Sequence, residues 1–145
     1  MLPVAWAKST GKADTTRLGI TGFCWGGRQV WLYVAHNPNV KAAAAWYGPL
    51  QIPKSENTPV NPPDEVAQMN APVLGLYGGA DANISAAQID AMRSAIQAAG
   101  KSSKIVVYPN TPHGFNADYR PSYRPDQAKD GWYRMLMWFK QNGVA

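Results

Sequence analysis

Cys24, the one cysteine of the chain, stands in Gly22-Phe23-Cys24-Trp25-Gly26-Gly27, a G-x-C-x-G pattern. With serine at its centre this spacing is the nucleophile elbow, a tight strand-to-helix turn that holds the nucleophile in a strained backbone conformation. Sulfur in that place gives a thiol facing a helix amino terminus, whose dipole and free N–H groups favour a thiolate and stabilise an oxyanion. The Trp25 N–H is the first such donor. The competing reading is a glycine-rich turn around a structural cysteine, because short motifs recur by chance.

A thiol nucleophile needs a base, and the base needs an acid to orient it. There are two histidines. His36 sits beside Asn37-Pro38, where a role at a helix end explains it. His113 lies in Thr111-Pro112-His113-Gly114-Phe115, directly after an apolar run. Asp81, in Tyr77-Gly78-Gly79-Ala80-Asp81-Ala82-Asn83, also follows an apolar run; an Asx turn or a cap before Ser85 is its simplest structural role. Asp118 is a weaker rival acid, since it shares the histidine's loop. Nucleophile, acid and histidine occur in the chain order of an acyl-transfer triad, each expected at the carboxyl end of a strand.

The elements that must position these groups read as alternating strands and helices, the pattern of a parallel sheet. Strands are expected at Leu18 to Thr21, Val40 to Tyr47, Ala71 to Tyr77 and Lys104 to Tyr108. A helix is expected from Arg28 to His36, stopped by Asn37-Pro38. Ser85 and Gln88 have capping-box spacing, and Ile89, Met92, Ile96 and Ala99 line one face before Gly100 ends that helix. The last helix starts near Pro125, carries Ala128, Trp132, Met135, Leu136 and Phe139 on one side, and ends at Gly143. Residues 48–72 hold six of the twelve prolines, so a surface excursion is expected there, with one helical turn at Asp64 to Met69.

Composition bounds the rest. A chain of 145 residues, 46% of them apolar, is one domain able to bury a core. The net charge of +5 comes from fourteen scattered basic residues, no two adjacent, which argues against nucleic acid. One cysteine excludes an internal disulfide, and nothing clusters as metal ligands or calls for a cofactor. No run approaches the length of a membrane helix and no export signal opens the chain, so no membrane partner and a cytoplasmic location are expected.

Gly22-Phe23-Cys24-Trp25-Gly26-Gly27, Trp46-Tyr47-Gly48, Gly78-Gly79-Ala80-Asp81 and His113-Gly114-Phe115 together resemble the dienelactone hydrolase (carboxymethylenebutenolidase) family, an α/β-hydrolase branch with a cysteine nucleophile. The resemblance implies Cys24 as nucleophile, Asp81 as orienting acid and His113 as base. It implies Trp25 as oxyanion donor and Tyr47 and Phe115 as pocket walls. Some family members carry an arginine just after the His-x-Phe; position 117 here is Ala, leaving Arg120 and Arg124 as the nearest candidates for contact with a substrate carboxylate. The Tyr119-to-Arg124 stretch otherwise reads as solvated surface.

Only the family's carboxy-terminal half is matched, so the expected fold class is α/β, a partial α/β-hydrolase of roughly four parallel strands with flanking helices, lacking the amino-terminal strands. The loop giving a second oxyanion N–H has no counterpart. The expected activity is hydrolysis of small carboxylic esters or lactones through a thioester; the alternative is a silent hydrolase-like module for oligomerisation or binding. An unpaired strand near Leu18 invites pairing, so a homodimer or higher homo-oligomer joined there is expected.

Overall fold

The computed structural model describes residues 2–145. A short helix α1 (Leu2–Ser9) precedes β1 (Leu18–Phe23), α2 (Trp25–His36), β2 (Val40–Trp46), β3 (Val73–Gly78), α3 (Ala86–Ala98), β4 (Lys104–Tyr108) and α4 (Pro125–Gln141). The four strands form one parallel sheet in the order β1-β2-β3-β4. This is the expected α/β class.

With the strands in sequential order, β-strand sterics decide where the connections run. Each crossover between parallel strands is right-handed, so a chain that keeps stepping in one direction lays its connections on one face. Along β3, residues alternate between the two faces. Tyr77 meets Trp31 of α2, whereas Leu74 lies with Trp138 of α4. Helices α2 and α4 therefore cover opposite faces. β2 and β3 lie inside the sheet and read as continuous buried runs, with Ala42 to Trp46 and Val73 to Gly78 all buried. The alanines of β2, which by composition suit a helix equally, are strand because small side chains let both layers close on the central sheet.

The boundaries moved in instructive places. Helix α2 begins at Trp25, three residues before the expected start, because Cys24 is its cap and the two glycines sit in its first turn. β1 and β3 run on to Phe23 and Gly78, and β2 stops at Trp46, one residue short of Tyr47. The Ser85 hydroxyl caps α3 by accepting from the Gln88 amide at 3.2 Å. The return half of that capping box does not form, since Gln88 Oε1 is buried without a partner.

Two expectations are corrected. In α4 the buried side is Ala128, Gly131, Met135 and Trp138, while Trp132 and Leu136 are exposed. The helix seats through Gly131, where an added Cβ would lie 2.7 Å from the Trp46 ring, and that close approach sets its rotation. The 48–72 segment is a surface excursion only in part: residues 53–57 are exposed, but other positions turn inward. Leu50, Asn61, Pro62, Val66 and Met69 are buried, and a 3-10 helix runs from Pro62 to Gln68 behind an Asn61–Asp64 capping box. Its prolines exclude long regular elements, yet apolar side chains between them still pack against α2 and α3.

Candidate active site

The parallel register brings Phe23, Trp46 and Leu76 level, and Gly78 level with Tyr108. The residues that follow each strand therefore share one rim of the sheet, the usual site position in such folds. Cys24 follows β1, Tyr47 follows β2, Asp81 follows β3 and His113 follows β4.

Cys24 is exposed and adopts φ 54 and ψ −120, a conformation that costs a side-chain-bearing residue roughly 1–3 kcal/mol. Its neighbours impose it. The Cys24 amide donates to the Trp46 carbonyl at 2.9 Å, and its own carbonyl accepts from the Arg28 amide at 3.2 Å, opening α2. A Cβ on Gly22 would stand 2.6 Å from the Gly26 carbonyl oxygen, and one on Gly27 2.5 Å from that of Trp46. Gly26 faces open space. Two of the three motif glycines are thus demanded by close backbone approach. As the first residue of α2, Trp25 has an amide with no acceptor one turn back in the helix, as an oxyanion donor requires.

His113 joins the set through both ring nitrogens. Nδ1 lies 2.6 Å from Asp81 Oδ2, and Nε2 lies 3.2 Å from Cys24 Sγ. The Asp81 carboxylate is fully buried, and its other oxygen accepts from the Asn83 amide at 2.9 Å. The loops carrying acid and histidine are laced together: the Gly79 amide donates to the Tyr108 carbonyl at 2.8 Å, and the Ala80 amide to that of Thr111 at 2.9 Å. Gly78 permits this, since a Cβ there would fall 2.2 Å from the Thr111 carbonyl oxygen. The Asp81 hydrogen bond pushes the His113 pKa up to about 9, against the opposing effect of burial, and the bond to Cys24 adds to the rise. At neutral pH the ring is then an imidazolium, with one N–H directed at the carboxylate and the other at sulfur.

Tyr47 and Phe115 are buried beside the histidine. The Tyr47 ring meets His113 edge-on at 5.0 Å and Phe115 at 5.2 Å between centroids. Burial pushes the Tyr47 hydroxyl up to about 12, so it keeps its proton. Arg120 is exposed, with its guanidinium over the Tyr119 ring at 5.6 Å. Arg124 donates to the carbonyls of Pro121 and Tyr123. Asp118 is exposed, as is His36 at the end of α2, and neither joins the cluster. Among the described residues no group of three or more His, Cys, Asp or Glu gathers as a metal site, and no helix is long and apolar enough to cross a membrane.

Sequence reasoning passed over Arg28, Trp31 and Tyr77, all fully buried behind the rim. Arg28 carried a signal: a cation in the first turn of a helix opposes the helix dipole and calls for another reason to be there. Tyr77 carried a weaker one, a hydroxyl in an otherwise aliphatic buried strand.

Comparisons with known proteins bear on the family and the fold. Residues 2–143 match the model of the dienelactone hydrolase family. The chain is 63% identical over 142 residues to the "Putative carboxymethylenebutenolidase" of Methylorubrum extorquens, covering 98% of this chain and 49% of the relative. It is 56% identical over 139 residues to the protein of that name from Escherichia coli K12, covering 96% and 51%. The crystal structure of a "Putative Dienelactone Hydrolase" from Klebsiella pneumoniae superposes with a TM-score of 0.93 at 56% identity, over 96% of this chain and 57% of that one. The chain spans about half the length of the curated relatives it matches. On matched family model, sequence identity and fold alike, the chain belongs to the dienelactone hydrolase family.

Proposed function

We propose that this chain carries the catalytic triad of an enzyme that hydrolyses small carboxylic esters or lactones, with Cys24 as nucleophile, His113 as base and Asp81 as orienting acid. The observation that carries the reading is the continuous Cys24–His113–Asp81 hydrogen-bonded line at the rim of the sheet. Membership of a family whose relatives are named for butenolide hydrolysis supports the substrate class.

The chemistry is acyl transfer to water. The Cys24 sulfur, paired with the protonated His113, attacks the carbonyl carbon and forms the C–S bond. Negative charge on the carbonyl oxygen is met by the Trp25 N–H and the amino terminus of α2. Collapse expels the alkoxide, which takes the proton from His113 Nε2. The neutral imidazole then draws a proton from water as hydroxide adds to the thioester, and the acid leaves with restoration of the pair. Tyr47 and Phe115, expected as pocket walls, are instead buried and back the histidine, and Arg120 is the exposed cation nearest to His113 in sequence for a substrate carboxylate. The test is hydrolysis of a short-chain aryl ester by the purified chain beside Cys24→Ala. A loss of activity of a hundredfold or more in the variant is expected, and equal rates in the two proteins would refute the reading.

We further propose self-association through the outer edge of β1. Among the described residues no strand pairs with that edge, and the groove beside it is lined by Ile20, Gly22, Val30 and Tyr33. Phe23 and Trp132 are exposed beside Trp46, on the opposite face of the sheet from α2. An unpaired strand of this kind is a template for another. Light scattering is expected to give twice the chain mass or more, and a monodisperse monomer would refute it.

A further inference from the structure

We propose that Tyr77 and Arg28 are positioning residues that act on His113 through Tyr47, an inference that rests on the triad reading above. Tyr47 needs holding. It is a side-chain-bearing residue at φ 37, outside the regions such residues favour, and it presents a ring edge to the imidazole at 5.0 Å. Its amide is anchored by the Leu76 carbonyl at 2.8 Å. The next two carbonyls of the chain are anchored by side chains that come from behind the sheet.

The Tyr77 hydroxyl donates to the Gly48 carbonyl at 3.0 Å and itself accepts from the Trp31 indole N–H at 2.9 Å. Arg28 Nη1 donates to the Pro49 carbonyl at 3.3 Å and to Asn61 Oδ1 at 2.9 Å, while Nη2 donates to the Val60 carbonyl at 2.7 Å. All three side chains are wholly buried. Gly48 packs directly on the start of α2, since a Cβ there would lie 2.3 Å from the Arg28 amide nitrogen. The Arg28 guanidinium also lies 5.6 Å from the centroid of the Trp25 ring, so one cation touches both the elbow and the Tyr47 turn.

The acceptors bound by this guanidinium are all neutral. Asp64 attracts this cation without hydrogen-bonding to it, yet a buried cation bonded only to neutral acceptors is a poor way to gain stability, because desolvation outweighs much of what those acceptors return. Its planar fork, however, can fix three separate backbone and amide oxygens at once. That is the property of a group whose use is geometric. The line Trp31–Tyr77–Gly48 does the same from α2 and β3, so the turn bearing Tyr47 is held at two consecutive peptides. If it shifts, the wall behind His113 shifts, and the Nε2-to-sulfur alignment shifts with it.

The experiment is a mutant cycle on the full chain. Tyr77→Phe is placed in wild type and in Tyr47→Ala, with two readouts: turnover of a short-chain aryl ester, and alkylation of Cys24 by iodoacetamide. A misplacement on the order of 1 Å is enough to cost one to two orders of magnitude in rate. In wild type, Tyr77→Phe is expected to lower kcat about tenfold with KM changed less than twofold, and to slow alkylation. In the Tyr47→Ala background the same change is expected to alter both rates less than twofold, because the intermediary is gone. Equal factors in the two backgrounds, or unchanged rates in wild type, would overturn the proposal. Should Tyr77→Phe show no cooperative melt, Trp31→Phe takes its place, keeping an aromatic ring but losing the N–H that the Tyr77 hydroxyl accepts from, with the same expectations. If the wild-type chain alkylates at Cys24 but turns over no ester, the hydrolase reading fails, and the alkylation rates alone still decide the positioning claim.

Discussion

Replacing Asp81 by asparagine removes a charge and leaves the shape, so it isolates what the buried carboxylate does to His113. The carboxylate sits 2.6 Å from Nδ1, fully shielded from solvent, and its hydrogen bond is the largest of the causes that lift the histidine from an ordinary value near 6.5 to about 9. That rise corresponds to at most about 3 kcal/mol favouring the imidazolium, reduced by solvent at the partly exposed ring. A ring with pKa near 9 is protonated in ~97% of molecules at pH 7.5, and one near 6.5 in ~9%. The sign follows directly. A raised pKa keeps the imidazolium, and with it the pairing to sulfur, through neutral pH, and the pair is lost only as pH climbs through about 9. In Asp81→Asn that loss moves down toward neutrality. The assay is the pH profile of Cys24 alkylation by iodoacetamide, read beside the titration of the His113 ring by NMR. At pH 7.5 the variant is expected to hold several-fold and at most about tenfold less of the imidazolium form, with its alkaline limit shifted down by one pH unit or more. The bulk thermal melt is expected to move far less than the profile. If the His113 titration in the variant stays near 9, the carboxylate is not what sets it, and the electrostatic account of the triad is wrong.

The glycines of the elbow make a sharper structural prediction than the motif does. Gly22→Ala places a methyl 2.6 Å from the Gly26 carbonyl oxygen and is expected to cost several kcal/mol, seen as a large drop in melting temperature or loss of folded protein. Gly26→Ala meets nothing within 4 Å and lies in the first turn of α2, so it is expected to leave stability unchanged or raise it by up to about 1 kcal/mol. Ile20→Lys puts a charge in the groove beside the outer edge of β1. It is expected to shift the light-scattering mass toward monomer under conditions where the variant is still folded, with some fall in melting temperature because Ile20 is partly buried against the core.

Much of the molecule is legible in the residues themselves. The strand at Lys104 to Tyr108 needs only the β-branched run and Pro109, and α3 only the Ser85 cap, three apolar positions and Gly100. These are local rules, in which a few neighbouring side chains decide the backbone. The partners of the site are legible for a related reason: strands that run parallel put their carboxyl ends on one side, so residues that follow Phe23, Gly78 and Tyr108 in sequence must converge in space. What failed to show was long-range. The rotation of α4 depends on Gly131 meeting Trp46, eighty-five positions away, and an amphipathic pattern on the helix alone favours Trp132 and Leu136 equally well. The inward turn of part of the 48–72 segment depends on Arg28 and the faces of α2 and α3 receiving it, whereas its prolines report only what it is not.

The sequence by itself determined which residues could carry chemistry, the order in which they come, and the parallel frame that gathers them, because each of these follows from spacing, turn chemistry and the alternation of apolar runs. Only the tertiary structure decided the distances of 3.2 and 2.6 Å that join sulfur, imidazole and carboxylate, and the buried hydrogen bonds that hold Tyr47 behind them. Those depend on backbones approaching within van der Waals contact across segments distant in the chain, and on buried polar groups finding partners there, which local patterning does not encode.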